Sequence, residues 1–188
     1  RPAGGTGARR RGGRCSDPAA ARAARRMRQG ETDMGAFDLS NPVFATYAIA
    51  ASLMVLKLMG QGWVTAYHLA ARRRGLASPE DLRPGPLNRD PRPEQLEPDP
   101  VVERSRRMHR NDLENVPGFL AAGLLFVAAE PPPLAAQGLM YGFVLARAGH
   151  AWAYGTARSH ETRATFYTLG SLAVIAMAVW ALAAALAG

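Results

Sequence analysis

Charged and aromatic side chains recur at helical spacing in three stretches of the chain that are otherwise apolar. Within each stretch the polar side chains stand three, four or seven residues apart, so they share one face of a helix. The members are Arg107, Arg110, Asn111 and Glu114 in the first stretch, Arg147, His150 and Tyr154 in the second, and Arg163 and Tyr167 in the third. We expect these faces to converge on one polar site.

The charges in these stretches favour an anionic ligand. A charge inside a membrane span costs about 2.5–3.5 kcal/mol on insertion scales, so these groups must meet one another or a polar ligand. Any single cation and carboxylate is explained equally well as a buried ion pair that only fixes the helix register. Over the whole set, however, four cations exceed the two carboxylates, Asp112 and Glu114. Because Arg binds carboxylates with two nitrogens, the expected ligand is a small anion with at least two acidic groups and an amine for Glu114.

The first apolar block is long enough to cross a bilayer. Asn41 followed by Pro42 is a typical helix start, and the apolar run from Val43 to Ala71 exceeds the roughly 20 residues that a span requires. Arginines followed by Gly75 are typical of a helix end. Lys57 interrupts the centre of this block, and we expect a structural role for it.

The later blocks predict three more helices. Asp99 and Pro100 start a second helix whose first half is strongly polar, and its apolar half is too short to cross a bilayer by itself. The polar half must therefore enter the membrane zone while facing protein or water. Pro117 is expected to kink this helix. The predicted helices span about residues 42–72, 100–129, 134–154 and 162–187.

Short second and third connections predict an all-α integral membrane protein, an antiparallel four-helix transmembrane bundle. Arginines lie in the first and third connections and not in the second. The positive-inside rule then places the first and third connections in the cytoplasm. We expect a multi-pass protein of the endoplasmic reticulum or an organelle membrane in a eukaryote, or of the inner membrane in a bacterium.

The N-terminal part differs in composition from the rest. Residues 1–33 hold nine Arg against three acidic residues, so they carry most of the net charge of +8. We expect this tail to be disordered or not native to the mature protein, and residues 34–188 to form the membrane domain. No nucleic-acid motif accompanies the basic charge, so we expect no nucleic-acid partner. Cys15 is the only cysteine, which argues against a catalytic thiol or an intrachain disulfide, and we find no clustered metal ligands.

Four motifs resemble one family. The segment 102–115 is similar to the signature of the membrane-associated proteins in eicosanoid and glutathione metabolism (MAPEG). The segments 78–81, 147–154 and 163–169 resemble the motif before that signature and those of the third and fourth helices. The glutathione transferase and prostaglandin E synthase branches are the most similar.

The resemblance implies a homotrimer with glutathione held between neighbouring subunits. It implies glutathione contacts for Arg107, Arg110, Asn111, Glu114, His150 and Tyr154, and the cationic stripe adds Arg147 to this binding set. Arg163 matches an arginine that stabilises the thiolate, and Tyr167 matches a tyrosine at the thiol end. Asp81 matches an acidic residue that assists prostaglandin isomerisation.

We expect an enzyme, a glutathione transferase that attacks lipophilic electrophiles or reduces lipid hydroperoxides as a peroxidase. The alternatives are a glutathione-dependent prostaglandin E synthase, converting prostaglandin H to E, and a non-catalytic lipid-binding membrane protein. Asp81 favours the synthase. Ala164 counts against it, since some synthases carry a serine there.

Overall fold

Four long helices make up most of the described part of the chain, which comprises Arg22 and residues 35–188 of this computed structural model. They are α1 (Pro42–Arg72), α2 (Pro100–Ala128), α3 (Pro133–Gly155) and α4 (His160–Ala187). No strand occurs in these described ranges. The expected all-α class is therefore confirmed, and each helix end lies within two residues of its predicted position. The predicted tail, residues 1–33, lies outside the described residues apart from Arg22.

The helix starts are set by local caps. Asn41 precedes α1, and its side-chain oxygen accepts hydrogen bonds from the backbone N–H groups of Val43 (2.9 Å) and Phe44 (3.5 Å). Asp99 caps α2 in the same way, accepting from Val101 and Val102 at 2.8 and 3.1 Å. In both helices Pro occupies the first position, where its missing N–H would have no partner in any case.

The end of α1 lies earlier than the predicted glycine. Arg73, not Gly75, adopts the left-handed conformation (φ 50°) that closes the helix, and its N–H donates to the Leu69 carbonyl. Gly75 has φ 83°, and a Cβ there would lie 3.1 Å from two carbons of Val102. Its N–H donates to the Glu97 carbonyl at 2.9 Å, so this glycine holds the connection against the start of α2.

The connection between α1 and α2 is ordered by its own hydrogen bonds. It contains two short 3-10 helices, Pro79–Leu82 and Pro93–Leu96. The side-chain amides of Asn88 and Gln95 pair reciprocally, at 2.7 and 3.2 Å. Asn88 Nδ2 also lies 3.3 Å from the Asp81 carbonyl, so Asn88 joins the two helices. The proline-rich sequence therefore forms a folded surface segment.

The bundle core is apolar and joins all four helices. α1 packs on α2 and α3, and α4 packs on α2 and α3 as well. Phe119 of α2 stacks on Phe143 of α3 with ring centroids 4.2 Å apart. Met140 of α3 and Met177 of α4 are fully buried beside them. Flexible Met side chains suit the gaps between stacked rings and small Ala residues.

The outer faces of α1 and α4 are apolar as well. These two helices are long and apolar enough to cross a membrane by length and composition. Large apolar side chains such as Leu56, Trp63, Leu172 and Val179 are exposed on them. Such faces suit contact with lipid, because in water they would expose a large apolar surface. The polar groups of α2 and α3 are arranged differently, and they define the candidate site.

Candidate functional site

Asp112 lies at the centre of the bundle and joins three helices. Its carboxylate is fully buried. One oxygen accepts a hydrogen bond from Lys57 Nζ of α1, and the other accepts from Arg147 Nη2 of α3, each at 2.5 Å. A buried carboxylate requires such partners because it has lost the hydration that water supplied. The sequence analysis counted Asp112 among the charges of the ligand site. In the structure Asp112 lies in the interior of the bundle.

Arg147 is held completely inside the protein. Its guanidinium is fully buried. Nη2 lies within hydrogen-bond distance of three atoms: Asp112 Oδ1, Asn111 Oδ1 at 2.8 Å and His150 Nδ1 at 3.3 Å. The charge of Arg147 is thus met by Asp112, and the guanidinium reaches other site residues only through Asn111 and His150. Its Nε and Nη1 have no hydrogen-bond partner among the described residues, so a direct contact of Arg147 with a ligand stays a prediction.

A row of rings leads from Arg147 to α4. The His150 ring lies 4.9 Å from the Tyr154 ring, one turn further along α3. The guanidinium of Arg163, at the start of α4, lies over the Tyr154 ring at 4.8 Å from its centroid. An arginine over an aromatic face is attracted by the ring quadrupole. The structure therefore brings His150, Tyr154 and Arg163 together, as the spacing of α3 and α4 predicted.

The remaining predicted residues of α2 face outwards in the single subunit. Arg107, Arg110 and Glu114 are exposed, while Asn111 is half-buried and accepts a hydrogen bond from Arg147. Neither arginine has a carboxylate within ion-pair distance among the described residues. The opposite face of α2 carries the buried side chains Met108, Asp112 and Val116, which explains the division. The polar stripe is thus an outer face with unbalanced positive charge.

Two predicted catalytic residues stand apart from this row. Asp81 is exposed in the first 3-10 helix, where its carboxylate accepts from the Ser78 backbone N–H at 3.3 Å. Tyr167 is 42% exposed, one turn beyond Arg163 on α4. Neither has a hydrogen bond or ion pair with another predicted site residue among those described.

A second polar contact between α1 and α2 was not predicted. Gln61 is buried and donates from Nε2 to Ser105 Oγ at 2.9 Å. The Thr65 hydroxyl lies 2.7 Å from the same oxygen. Lys57, Gln61 and Thr65 recur every four residues on α1, and this spacing within an apolar helix was the available signal. These contacts align α1 with the polar half of α2.

Comparison with known proteins agrees with this geometry. The sequence model of the MAPEG family matches residues 47–183. The chain is 31% identical over 142 residues to prostaglandin E synthase from Homo sapiens, covering 75% of this chain and 89% of that protein. It is 34% identical over 140 residues to microsomal glutathione S-transferase 1 from Homo sapiens, covering 74% and 89%. It is 33% identical over 144 residues to prostaglandin E synthase from Equus caballus, covering 75% and 88%.

The family match covers most of α1 and α4, all of α2 and α3, and the whole row from Arg147 to Arg163. Its members are membrane helical bundles, which confirms the expected fold class, and the relatives are named as enzymes. In such a bundle charged side chains must face the interior, because exposure to lipid is costly. The ion pairs of Asp112 with Lys57 and Arg147, inside helices with apolar outer faces, meet this requirement. The chain therefore belongs to the MAPEG family.

Proposed function

We propose that this protein is a glutathione transferase that ionises the glutathione thiol and directs it at lipophilic electrophiles in the membrane. One observation carries the proposal. Arg107, Arg110 and Arg163 have no carboxylate partner among the described residues, whereas the interior cations Lys57 and Arg147 share Asp112. The site thus offers three fixed positive charges that the rest of the described fold does not neutralise.

Glutathione has the chemistry that this face fits. It is a small peptide with two carboxylates, one ammonium group and one thiol. Arg107 and Arg110 are suited to the carboxylates, because a guanidinium forms paired hydrogen bonds with them. Glu114 is suited to the ammonium group, and Asn111 to a backbone amide. His150 and Tyr154 complete the predicted binding set on α3.

Arg163 and Tyr167 would act on the thiol. A free thiol has a pKa of about 8.5 and is mostly protonated at neutral pH, and a nearby cation favours the thiolate. Arg163 supplies a positive charge, and its guanidinium lies 4.8 Å from the centroid of the Tyr154 ring. The thiolate then attacks an electrophilic carbon, a C–S bond forms and the leaving group departs with its electron pair.

The second substrate would come from the bilayer. The exposed apolar faces of α1 and α4 adjoin the helices that carry the polar row, so a lipophilic electrophile or lipid hydroperoxide could approach without entering water. In the hydroperoxide case, two glutathione molecules are oxidised to a disulfide while the peroxide is reduced to an alcohol and water.

A prostaglandin E synthase is the second candidate, and Asp81 is the residue that favours it. Its side chain is exposed on the ordered connection, where one carboxylate oxygen accepts from the Ser78 backbone N–H. Against this candidate, Ala164 follows Arg163 and offers no hydroxyl. A non-catalytic lipid-binding protein is the remaining candidate. It would not explain why Arg107, Arg110 and Arg163 lack a carboxylate partner among the described residues.

The outward polar face also supports the homotrimer that the resemblance implies. Arg107, Arg110 and Glu114 point out of a subunit whose surroundings are lipid, and the cost of such exposure is high. A second copy of the chain would cover this face and enclose glutathione between subunits. Chemical cross-linking in detergent tests this part of the proposal, with three subunits as the expected product. The membrane is proposed as the sequence analysis expected it. The protein would be a multi-pass protein of the endoplasmic reticulum or an organelle membrane in a eukaryote, or of the inner membrane in a bacterium.

The decisive experiment measures the thiolate directly. Glutathione is added to the purified full-length protein in detergent near neutral pH, and the ultraviolet absorbance of the thiolate is followed. We expect a signal that saturates with glutathione and is absent with S-methylglutathione, which has no thiol. Glutathione binding without this signal would contradict the transferase and favour the lipid-binding candidate. Parallel assays with a chlorodinitrobenzene-type acceptor, a lipid hydroperoxide and a prostaglandin endoperoxide separate the activities.

A further inference from the structure

The imidazole of His150 faces a group that can only donate hydrogen bonds. Its Nδ1 lies 3.3 Å from Arg147 Nη2. A guanidinium keeps its charge in proteins and has no acceptor, so Nδ1 must be the acceptor in this contact. A proton on Nδ1 would place two donors against each other. The His150 ring must therefore be neutral, with its one proton on Nε2.

Arg147 cannot easily turn away from this contact. It is fully buried, and Nη2 also serves Asp112 Oδ1 and Asn111 Oδ1. The two hydrogens of Nη2 thus meet three acceptors, and the His150 bond is the longest of the three. That bond depends on the exact placement of the guanidinium, which makes it sensitive to whatever holds Asp112.

Lys57 holds the other half of Asp112. Its Nζ occupies Oδ2, so Arg147 meets the carboxylate through a single nitrogen and oxygen. Arg and carboxylate otherwise prefer a fork in which two nitrogens meet two oxygens. Occupation of Oδ2 by Lys57 therefore excludes the fork and leaves Nη2 beside His150.

We propose that Lys57, Asp112 and Arg147 form a positioning triad that keeps His150 as a hydrogen-bond donor through Nε2. The assignment of the tautomer stands on the contacts of Arg147 alone. The role of this tautomer in ligand binding rests on the proposed function. The fixed Nε2–H donates to an acceptor atom of glutathione, and His150 does not act as a general base. Lys57, on a helix that carries none of the predicted ligand contacts, thereby becomes a positioning residue for the site.

Removal of Lys57 tests the triad without destroying the fold. The three side chains carry two positive charges and one negative charge, so Lys57→Met leaves a neutral Asp112–Arg147 pair. Breaking a buried pair is harmful when a charge is left alone, which is not the case here. In the variant Arg147 can close the fork on Asp112 and withdraw from Nδ1, so we expect His150 to become a mixture of tautomers.

The tautomer is read by nitrogen NMR of the full-length protein in detergent, labelled with 15N-histidine. His150→Gln assigns the signal among the four histidines of the chain. We expect a protonated Nε2 and an unprotonated Nδ1 in the wild type, a mixture in Lys57→Met and the wild-type pattern in Lys57→Arg. Ser105→Ala is the matched control, because it removes a hydroxyl that Gln61 and Thr65 of α1 contact and leaves the triad intact. We expect no change in its His150 signal.

Glutathione binding gives the second measurement. Loss of one well-placed hydrogen bond weakens affinity by about three- to tenfold, so Lys57→Met should raise KM for glutathione by that factor and affect kcat less. A wild-type His150 protonated on Nδ1, or a Lys57→Met variant with unchanged tautomer, would overturn the triad. An altered tautomer with unchanged affinity would overturn its link to the ligand. Failure of the wild type to bind glutathione would instead refute the proposed function, and the NMR result on the triad would stand.

Discussion

The ring of Phe166 on α4 lies directly against the backbone of Gly149 on α3. A Cβ at position 149 would stand 2.4 Å from Cε1 of that ring, closer than any side chain tolerates. His150 follows Gly149 in the chain, and Tyr167 follows Phe166. The close approach therefore fixes how the predicted ligand residues of α3 stand against those of α4.

Gly149→Ala should separate α3 from α4. The ring must move or the helices must part, and overpacking of this kind costs about 1–3 kcal/mol of stability. We expect a lower midpoint of thermal unfolding in detergent and weaker glutathione binding. Gly142→Ala on the same helix is the control, because no atom of another helix lies within 4 Å of its added Cβ. A Gly149→Ala variant as stable as Gly142→Ala would show that the ring yields freely.

Asp112→Asn should unfold the bundle or prevent its assembly. The substitution leaves the buried Arg147 and the half-buried Lys57 without an anion, and breaking a buried pair costs about 3–5 kcal/mol. The measurement is the yield and thermal midpoint of monodisperse protein in detergent. Asp90→Asn removes the exposed pair with Arg92 and should change neither quantity. Wild-type stability of Asp112→Asn would mean that Asp112 is not the required counter-ion.

Arg163→Ala should separate chemistry from binding. Without the fixed cation beside Tyr154, the thiolate of bound glutathione loses its stabilisation, and we expect kcat to fall by about two orders of magnitude. Glutathione should still bind, since its carboxylates are assigned to α2. Arg163→Lys keeps a positive charge and should retain part of the turnover. Equal turnover in Arg163→Ala and wild type refutes the proposed role in ionising the thiol.

Arg110→Ala should weaken glutathione binding. A hydrogen bond to a charged group is worth about 1.5–3 kcal/mol, so we expect the dissociation constant to rise by about tenfold or more. Calorimetric titration of the solubilised protein measures it. Arg158→Ala, which removes an exposed arginine that lies over Trp152, controls for general electrostatic attraction. If both variants lose affinity equally, Arg110 makes no specific contact.

The Asp99 cap should make the start of α2 sensitive to acid. Hydrogen bonds from the backbone N–H groups of Val102 and Val101, together with the nearby charges of Arg72 and Arg74, hold the pKa of this carboxyl below its ordinary value. The charged cap therefore stabilises the fold at every pH above the ordinary aspartate pKa. That stability is lost as the pH falls through the lowered pKa.

Asp99→Asn isolates this effect, because Asn caps a helix without a charge. We expect the wild type to have the higher thermal midpoint at neutral pH and to lose this advantage in acid. A difference between the two proteins that stays constant down to the most acidic pH at which both are folded would contradict the assignment.

The helix boundaries could be predicted because their causes are local. Asn41 with Pro42, and Asp99 with Pro100, cap helices through contacts that reach three residues along the chain. Length and composition alone show that α1 is able to span a bilayer. The spacing of His150, Tyr154 and Arg163 likewise placed these residues on facing helices, because the 3.6-residue period is a property of the backbone.

The partner of each charge, in contrast, was decided by the tertiary structure. The sequence offers Arg107, Arg110 and Arg147 equally to Asp112. Only the packing of α1, α2 and α3 brings Lys57 and Arg147 onto that carboxylate and leaves the other two arginines outside. Asp112 shares its helix face with Val116 and Met108, and in hindsight that spacing was the signal for its burial.

The physical reason lies in the distance over which each interaction acts. Helix formation depends on neighbours within about four residues, and the sequence contains them in order. Lys57 and Asp112 are 55 residues apart, and an ion pair between them exists only after the helices have packed. The sequence therefore determined the helices and the kinds of polar groups they carry. The fold decided which charges cancel in the interior and which stay available for a ligand.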